Sequence, residues 1–139
     1  MARAFLDTNV LVYAFVDDPR AAVAERLLAE GGDVSVQVLN EFANVARRKL
    51  GLDWRQVRDG LASIRALART IHPIDLETHT HALSLAQRYG FSFYDALIVS
   101  SAIGGRCTLL YSEDMQDGME IEGGLRIRNP FTNHAELFD

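Results

Sequence analysis

Five carboxylates stand where their surroundings give them more to do than face water. Asp7 ends the short apolar run AFLD and is followed by Thr8, Asn9 and the apolar stretch VLVYAF. Glu41 is the single acid of VLNEFANVARRKL, and Asp95 the single acid of FSFYDALIVSSA. LLYSEDMQDG then supplies Asp114 and Asp117. Carboxylates gathered within a few Å repel one another, and burial sharpens the repulsion. Protons or a divalent cation relieve it, and an all-oxygen donor set suits Mg²⁺ or Mn²⁺. Zinc is a poor match. Cys107 is the only cysteine, and none of the histidines lies in an acidic motif: His72 precedes Pro73, and His79 and His81 sit on an expected helix from Asp75 to Tyr89.

Each acid also has a reading without chemistry. Asp7 can cap the helix that follows it. Ser92 and Asp95 have the spacing of a capping box. Glu41 can pair with Arg48 or Lys49 along a solvated helix face. Asp114 and Asp117 can be ordinary loop acids, as Glu113 is expected to be. Convergence of several acids on one edge of a sheet would favour the shared site, so the order of elements decides.

Residues Ala4–Leu6 read as a buried strand that delivers Asp7 to its carboxyl end. A helix follows, then the break Asp17-Asp18-Pro19 and a second helix over Arg20–Glu30 that stops at Gly31-Gly32. Val34–Val36 is expected to be a short β-branched strand. It leads into a helix over Gln37–Leu50, with Glu41 about one turn in. Asp53 and Gln56 open a helix to about Arg69 in capping-box spacing. Thr70–Ile74 is a short strand broken by Pro73. Asp75 opens the helix that Gly90 ends, and Ser92 the helix that Gly104-Gly105 ends. That last helix is apolar nearly all round, which implies burial and makes Asp95 conspicuous. Strands at Thr108–Tyr111 and Leu125–Ile127 follow, with Ser112–Gly118 a loop between them. Residues 129–139 read as an irregular tail with Phe131 and Phe138 free to dock.

Strands alternating with helices indicate one α/β domain over residues 1–139: a short, mainly parallel sheet of about 4–5 strands with helices on both faces. Ligands of such sheets gather at the carboxyl ends of the strands, where Asp7, Glu41, Asp114 and Asp117 are all expected.

The composition supports a folded core: 48% of the 139 residues are hydrophobic, and no repeat or low-complexity tract occurs. Cys107, between Arg106 and TLLY, is expected to be a small buried residue. No targeting segment is visible, and the longest early apolar run is too short to span a bilayer, so a cytoplasmic protein without membrane contact is expected. A net charge of −5 argues against passive nucleic-acid binding, though not against an enzyme that reaches phosphates through metal ions. Arg55, Arg58, Arg65 and Arg69 fall within about 80° on a helical wheel, as a phosphate-steering face or as a plain solvated one.

In order along the chain, FLDTNVLVYA, VLNEFANVARRKL, FSFYDALIVSSA and LLYSEDMQDG resemble the motifs of PIN-domain ribonucleases, and most of all the VapC-type toxins of toxin–antitoxin pairs. The similarity runs from about Phe5 to Asp117. It implies that Asp7, Glu41 and Asp95 are the three central acids, Asp114 a fourth and Asp117 an accessory fifth, with Asn9 and Ser112 as supporting polar residues. Gly118 stands where the family more often has an aromatic. The implied activity is Mg²⁺- or Mn²⁺-dependent hydrolysis of RNA, with a metal-activated water as nucleophile. The implied partners are a VapB-type antitoxin and a second copy of the chain. Two rivals remain on sequence grounds: a HAD-like phosphatase, disfavoured because Asn9 replaces its second aspartate and Lys49 looks misplaced, and a PIN-like module that binds RNA or protein without cleaving.

Overall fold

A computed structural model describes residues 3–132. Its central sheet has the order β1-β4-β6-β5. Strands β1 (Ala4–Leu6), β4 (Leu109–Tyr111) and β6 (Leu125–Arg128) are parallel, while β5 (Glu120–Ile121) pairs antiparallel with β6. A second parallel pair, β2 (Val34–Ser35) and β3 (Ile71–His72), extends the sheet beyond β1. The link is a single parallel bridge between Phe5 and Asp33, in which Leu6 N donates to Asp33 O at 2.9 Å and Asp33 N to Ala4 O at 2.8 Å. Gly32 makes this approach possible, because a Cβ there would meet Leu6 Cγ at 2.7 Å. The strands thus lie β3-β2-β1-β4-β6-β5, five of them parallel.

Six helices flank the sheet among the described residues: α1 (Thr8–Tyr13), α2 (Ala21–Ala29), α3 (Val36–Arg48), α4 (Trp54–Leu67), α5 (Leu76–Tyr89) and α6 (Phe93–Gly104). Local chemistry sets their starts. Asp53 and Gln56 form the expected capping box, and Asp75 accepts from Thr78 N. Gly90, at φ 77°, ends α5 in the left-handed region open to glycine. Every residue from Ala96 to Ala102 in α6 is buried, Ser100 and Ser101 included, in keeping with a helix apolar nearly all round. The core joins Phe5, Leu110 and Ile127 of the sheet to Phe42 of α3 and Ile98 of α6, each fully buried. Cys107 is buried too, and its thiol, raised mainly by burial and then by the Asp33 charge, lies at about 12. No helix among the described residues is long and apolar enough to cross a membrane.

Three differences from the sequence reading have a clear local cause. Val36 belongs to α3, not to a strand: Ser35 Oγ accepts from Val38 N, and that cap turns the chain one residue early. Helix α4 stops at Leu67 because Arg69 N donates to Gly32 O, pulling the chain into the connection to β3. Strand β5 was not anticipated. Gly123 and Gly124, at φ 77° and 76°, turn it back onto β6, and this glycine pair was the available signal. Of the tail, Phe131 docks edge-on against Tyr13 at 5.0 Å between ring centroids. Phe138 lies outside the described residues.

Candidate active site

Because β1, β2 and β4 are parallel, their carboxyl ends share one edge of the sheet. Leu6 pairs with Tyr111, so the residues that follow, Asp7 and Ser112, emerge side by side. Ser35 ends β2 and sets Glu41 near the same edge in the second turn of α3. Helix α6 packs on α3 and β2, and Asp95, in its first turn, lines the same cavity as Asp7 and Glu41. Asp7, Glu41, Asp95 and Asp114 line one cavity of about 530 Å³.

The four acids grade from core to solvent. Asp7 is buried, Glu41 and Asp95 are half-buried, and Asp114 is exposed. Asp7 is the N-cap of α1, so the capping role and the cavity role belong to the same residue. Its Oδ1 accepts from Thr8 N at 2.7 Å, and its Oδ2 from Ser112 Oγ at 2.7 Å and Asn9 Nδ2 at 3.3 Å. Burial still dominates and pushes its carboxyl up to about 7. The Ser112 and Thr8 hydrogen bonds oppose that rise, and the charges of Asp95 and Glu41 add to it. Asp95 is raised as well, first by burial and then by Asp114, against a lowering hydrogen bond from Ser92. Ser92 Oγ caps α6 by accepting from Asp95 N at 3.3 Å.

Glu41 makes no ion pair with Arg48 or Lys49. Its Oε1 accepts from Thr8 Oγ1 at 3.1 Å and its Oε2 from Gln37 Nε2 at 2.9 Å. Sequence reasoning passed over both supports, although Gln37 precedes Glu41 by four residues, the spacing at which helix side chains meet. Glu113 is no idle loop acid. It lines the cavity, accepts from Tyr13 Oη at 2.7 Å and pairs with Arg20 at 3.0 Å. Its backbone N–H donates to Asn9 Oδ1 at 3.1 Å, so Asn9 ties the loop carrying Asp114 to α1.

Asp117 is not brought to the cavity. Its Oδ1 accepts from Asn129 N at 2.8 Å and lies 3.7 Å from Arg128 Nε, beyond the end of β6. The accessory ligand role that the resemblance implied for Asp117 is therefore not carried forward. Lys49 does line the cavity. That corrects its dismissal as misplaced, so the case against a covalent phosphatase narrows to Asn9. Arg55 and Arg58 are exposed on α4 and form no ion pair with a described residue, and neither lines the cavity.

The donor set bears on which cation fits. Among the described residues, no three of Asp, Glu, His and Cys are close enough together to hold an ion directly. The acids are nevertheless close enough to raise one another's proton affinity. That combination does not suit a dry cage of protein ligands. It suits Mg²⁺, which keeps several waters and accepts one or two carboxylates, or the chemically similar Mn²⁺. The cavity is also lined by the apolar Val12, Val16, Val45 and Leu50.

The PIN domain family model matches residues 4–117. Comparison with curated proteins gives no significant match. Several solved structures share the fold. One is VapC20 of Mycobacterium tuberculosis, described as a sarcin–ricin loop cleaving toxin, at 22% identity and a TM-score of 0.66 over 80% of this chain and 89% of that one. A toxin–antitoxin complex from Klebsiella pneumoniae aligns at 21% identity and 0.67, over 91% and 97% of the two chains. VapBC2 of Rickettsia felis, bound to a DNA fragment from its promoter, aligns at 22% and 0.66, again over 91% and 97%.

Proposed function

The chain belongs to the PIN-domain family, and from that premise we propose that it is a Mg²⁺- or Mn²⁺-dependent endoribonuclease, the toxin member of a VapBC-type pair. The observation that carries the reading is the cavity itself: four carboxylates from four separate elements, one of them buried and pushed up to about 7. A structure that gathers charge at such cost is served by a cation.

Asp7, Glu41, Asp95 and Asp114 would hold the dication together, in part through the waters it keeps. When bound, it would supply an acidified water as nucleophile and offset the charge that builds on the phosphate. The chain's own residues do the positioning. Ser112, Thr8 and Asn9 fix Asp7 from three sides, while Gln37 and Thr8 fix Glu41. The Asn9–Glu113 and Glu113–Tyr13–Arg20 contacts hold the Asp114 loop against α1. Lys49, exposed at the cavity, is a cation available to a phosphate that approaches the acids.

The resemblance to VapBC assemblies supports a VapB-type antitoxin and a homodimer as partners of this chain. The apolar lining of the cavity is a surface that an antitoxin segment could cover. The deciding experiment incubates the purified chain with total RNA in Mg²⁺, in Mn²⁺ and in EDTA. Metal-dependent cleavage at discrete positions is expected. Binding without cleavage in either metal would leave an inactive RNA-binding module. A phosphoenzyme trapped on Asp7 would overturn the nuclease reading in favour of covalent phosphatase chemistry.

A further inference from the structure

A second groove adjoins the acidic cavity. It has a volume of about 480 Å³ and is lined by Gln37, Asn40, Asn44 and Tyr94 together with Glu41 and Asp95, which it shares with the cavity. We propose that this groove receives a single-stranded nucleobase next to the phosphodiester bond to be cut. The proposal rests on the nuclease reading and adds to it a source of sequence preference.

Gln37, Asn40, Glu41 and Asn44 fall within about 100° of arc on α3, so three carboxamides and one catalytic candidate share a helix face. Asn40 and Asn44 are exposed, and their side chains make no hydrogen bond with a described residue. Gln37 spends its amide N–H on Glu41 and keeps its carbonyl oxygen. Free donors and acceptors of this kind read the edge of a base, and a carboxamide can do so through two parallel hydrogen bonds.

Tyr94, on α6, lines the same groove; it is 63% exposed, and its ring meets Phe93 edge-on at 6.0 Å between centroids. An exposed tyrosine alone is ordinary. An exposed ring lining one groove with unpaired carboxamides is what recognition of an unstacked base uses: a π-face to stack on and polar groups to read the edge. Charge argues for the base over the phosphate here. Glu41 and Asp95 repel a phosphate wherever no cation stands between, whereas a neutral base tolerates them. The volume falls within the ~300–1,000 Å³ of small-molecule sites.

The test uses Asp7→Asn protein, since Asp7 lies outside this groove, and measures anisotropy of labelled RNA octamers of A, C, G or U in Mg²⁺. Tyr94→Ala in that background is expected to weaken binding about tenfold or more, with Tyr94→Phe restoring it. Asn40→Ala with Asn44→Ala is expected to level the affinities of the four octamers. The exposed position of Tyr94 keeps the fold out of the comparison, which circular dichroism checks. Tyr94→Ala that binds each octamer as tightly as its parent overturns the proposal. The parent chain, with Asp7 intact, is then assayed for cleavage of the same octamers. Cleavage with Tyr94-independent binding removes the subsite and keeps the nuclease. Base-selective, Tyr94-dependent binding without cleavage removes the nuclease and keeps the subsite.

Discussion

Ser112 donates a 2.7 Å hydrogen bond to Asp7, from a position 105 residues further along the chain. The pairing of Leu6 with Tyr111 makes this contact almost unavoidable, because the next residue of each parallel strand leaves the sheet at the same point. The bond opposes the rise that burial imposes on the Asp7 carboxyl. Ser112→Ala should therefore push that carboxyl higher still and move the acid limb of the cleavage profile to higher pH. A loss of about 1–2 kcal/mol in stability should accompany it, since Met115 N also loses its acceptor. Activity against pH and a urea melt are the two measurements. An unmoved acid limb would show that Ser112 does not act through Asp7.

Stability of the metal-free protein should fall as pH rises. The Asp7 carboxyl titrates near the ordinary aspartate value of 3.8 in the unfolded chain and is pushed up to about 7 in the folded one. Between those values the folded state binds more protons than the unfolded state, so stability declines through the window and levels off above it. Asp7 alone contributes a decline on the order of 4 kcal/mol at about 1.4 per unit. Urea denaturation in EDTA from pH 4 to pH 8 should show the slope, and Asp7→Asn should remove most of it.

Asp95→Asn should cut cleavage by several orders of magnitude while leaving the metal-free fold intact or slightly stabilised. Asp95 is raised by burial and by Asp114, and the amide relieves both effects. Mn²⁺ should raise the melting temperature of the parent, by about 2.7 kcal/mol of added stability at a hundredfold excess over Kd. The gain should be smaller for Asp95→Asn and for Asp7→Asn. A variant as active as the parent would remove Asp95 from the site.

Arg55→Ala with Arg58→Ala should weaken RNA binding without altering metal binding. Both side chains are exposed and without an ion pair to a described residue, so the change costs the fold little. If each meets a phosphate, the dependence of log affinity on log salt should flatten by about 0.7 per residue. Anisotropy titrations at several salt concentrations read the slope, and an unchanged slope would return this face to the solvent.

Asp33 gives a prediction away from the cavity. It is fully buried at the bridge between β1 and β2, where its Oδ2 meets Arg3 Nε and His72 Nε2, each at 2.8 Å, and its Oδ1 has no partner among the described residues. Arg3→Met strips the guanidinium from a carboxylate that cannot reach water. A loss of about 1–3 kcal/mol is expected. Asp33→Asn in the same background should recover part of it, which a thermal melt would reveal.

The features legible in the sequence were those written within a few residues. Caps at Asp53, Asp75 and Ser92, the stop at Gly90, the all-round apolar α6 and the order of strands and helices each follow from local backbone and side-chain chemistry. Strand order along the chain was also enough to expect Asp7, Glu41 and Asp114 at one edge. The tertiary structure decided what depends on pairing between distant segments. It gave Asp117 to Asn129 and Arg128, brought Lys49 to the cavity, supported Glu41 with Thr8 and Gln37, and set the acids close enough to repel yet too far apart for three to grip one ion. Those outcomes turn on shifts of a few Å in strand register and helix packing, which are fixed only when the whole core closes, and no short run of residues encodes them.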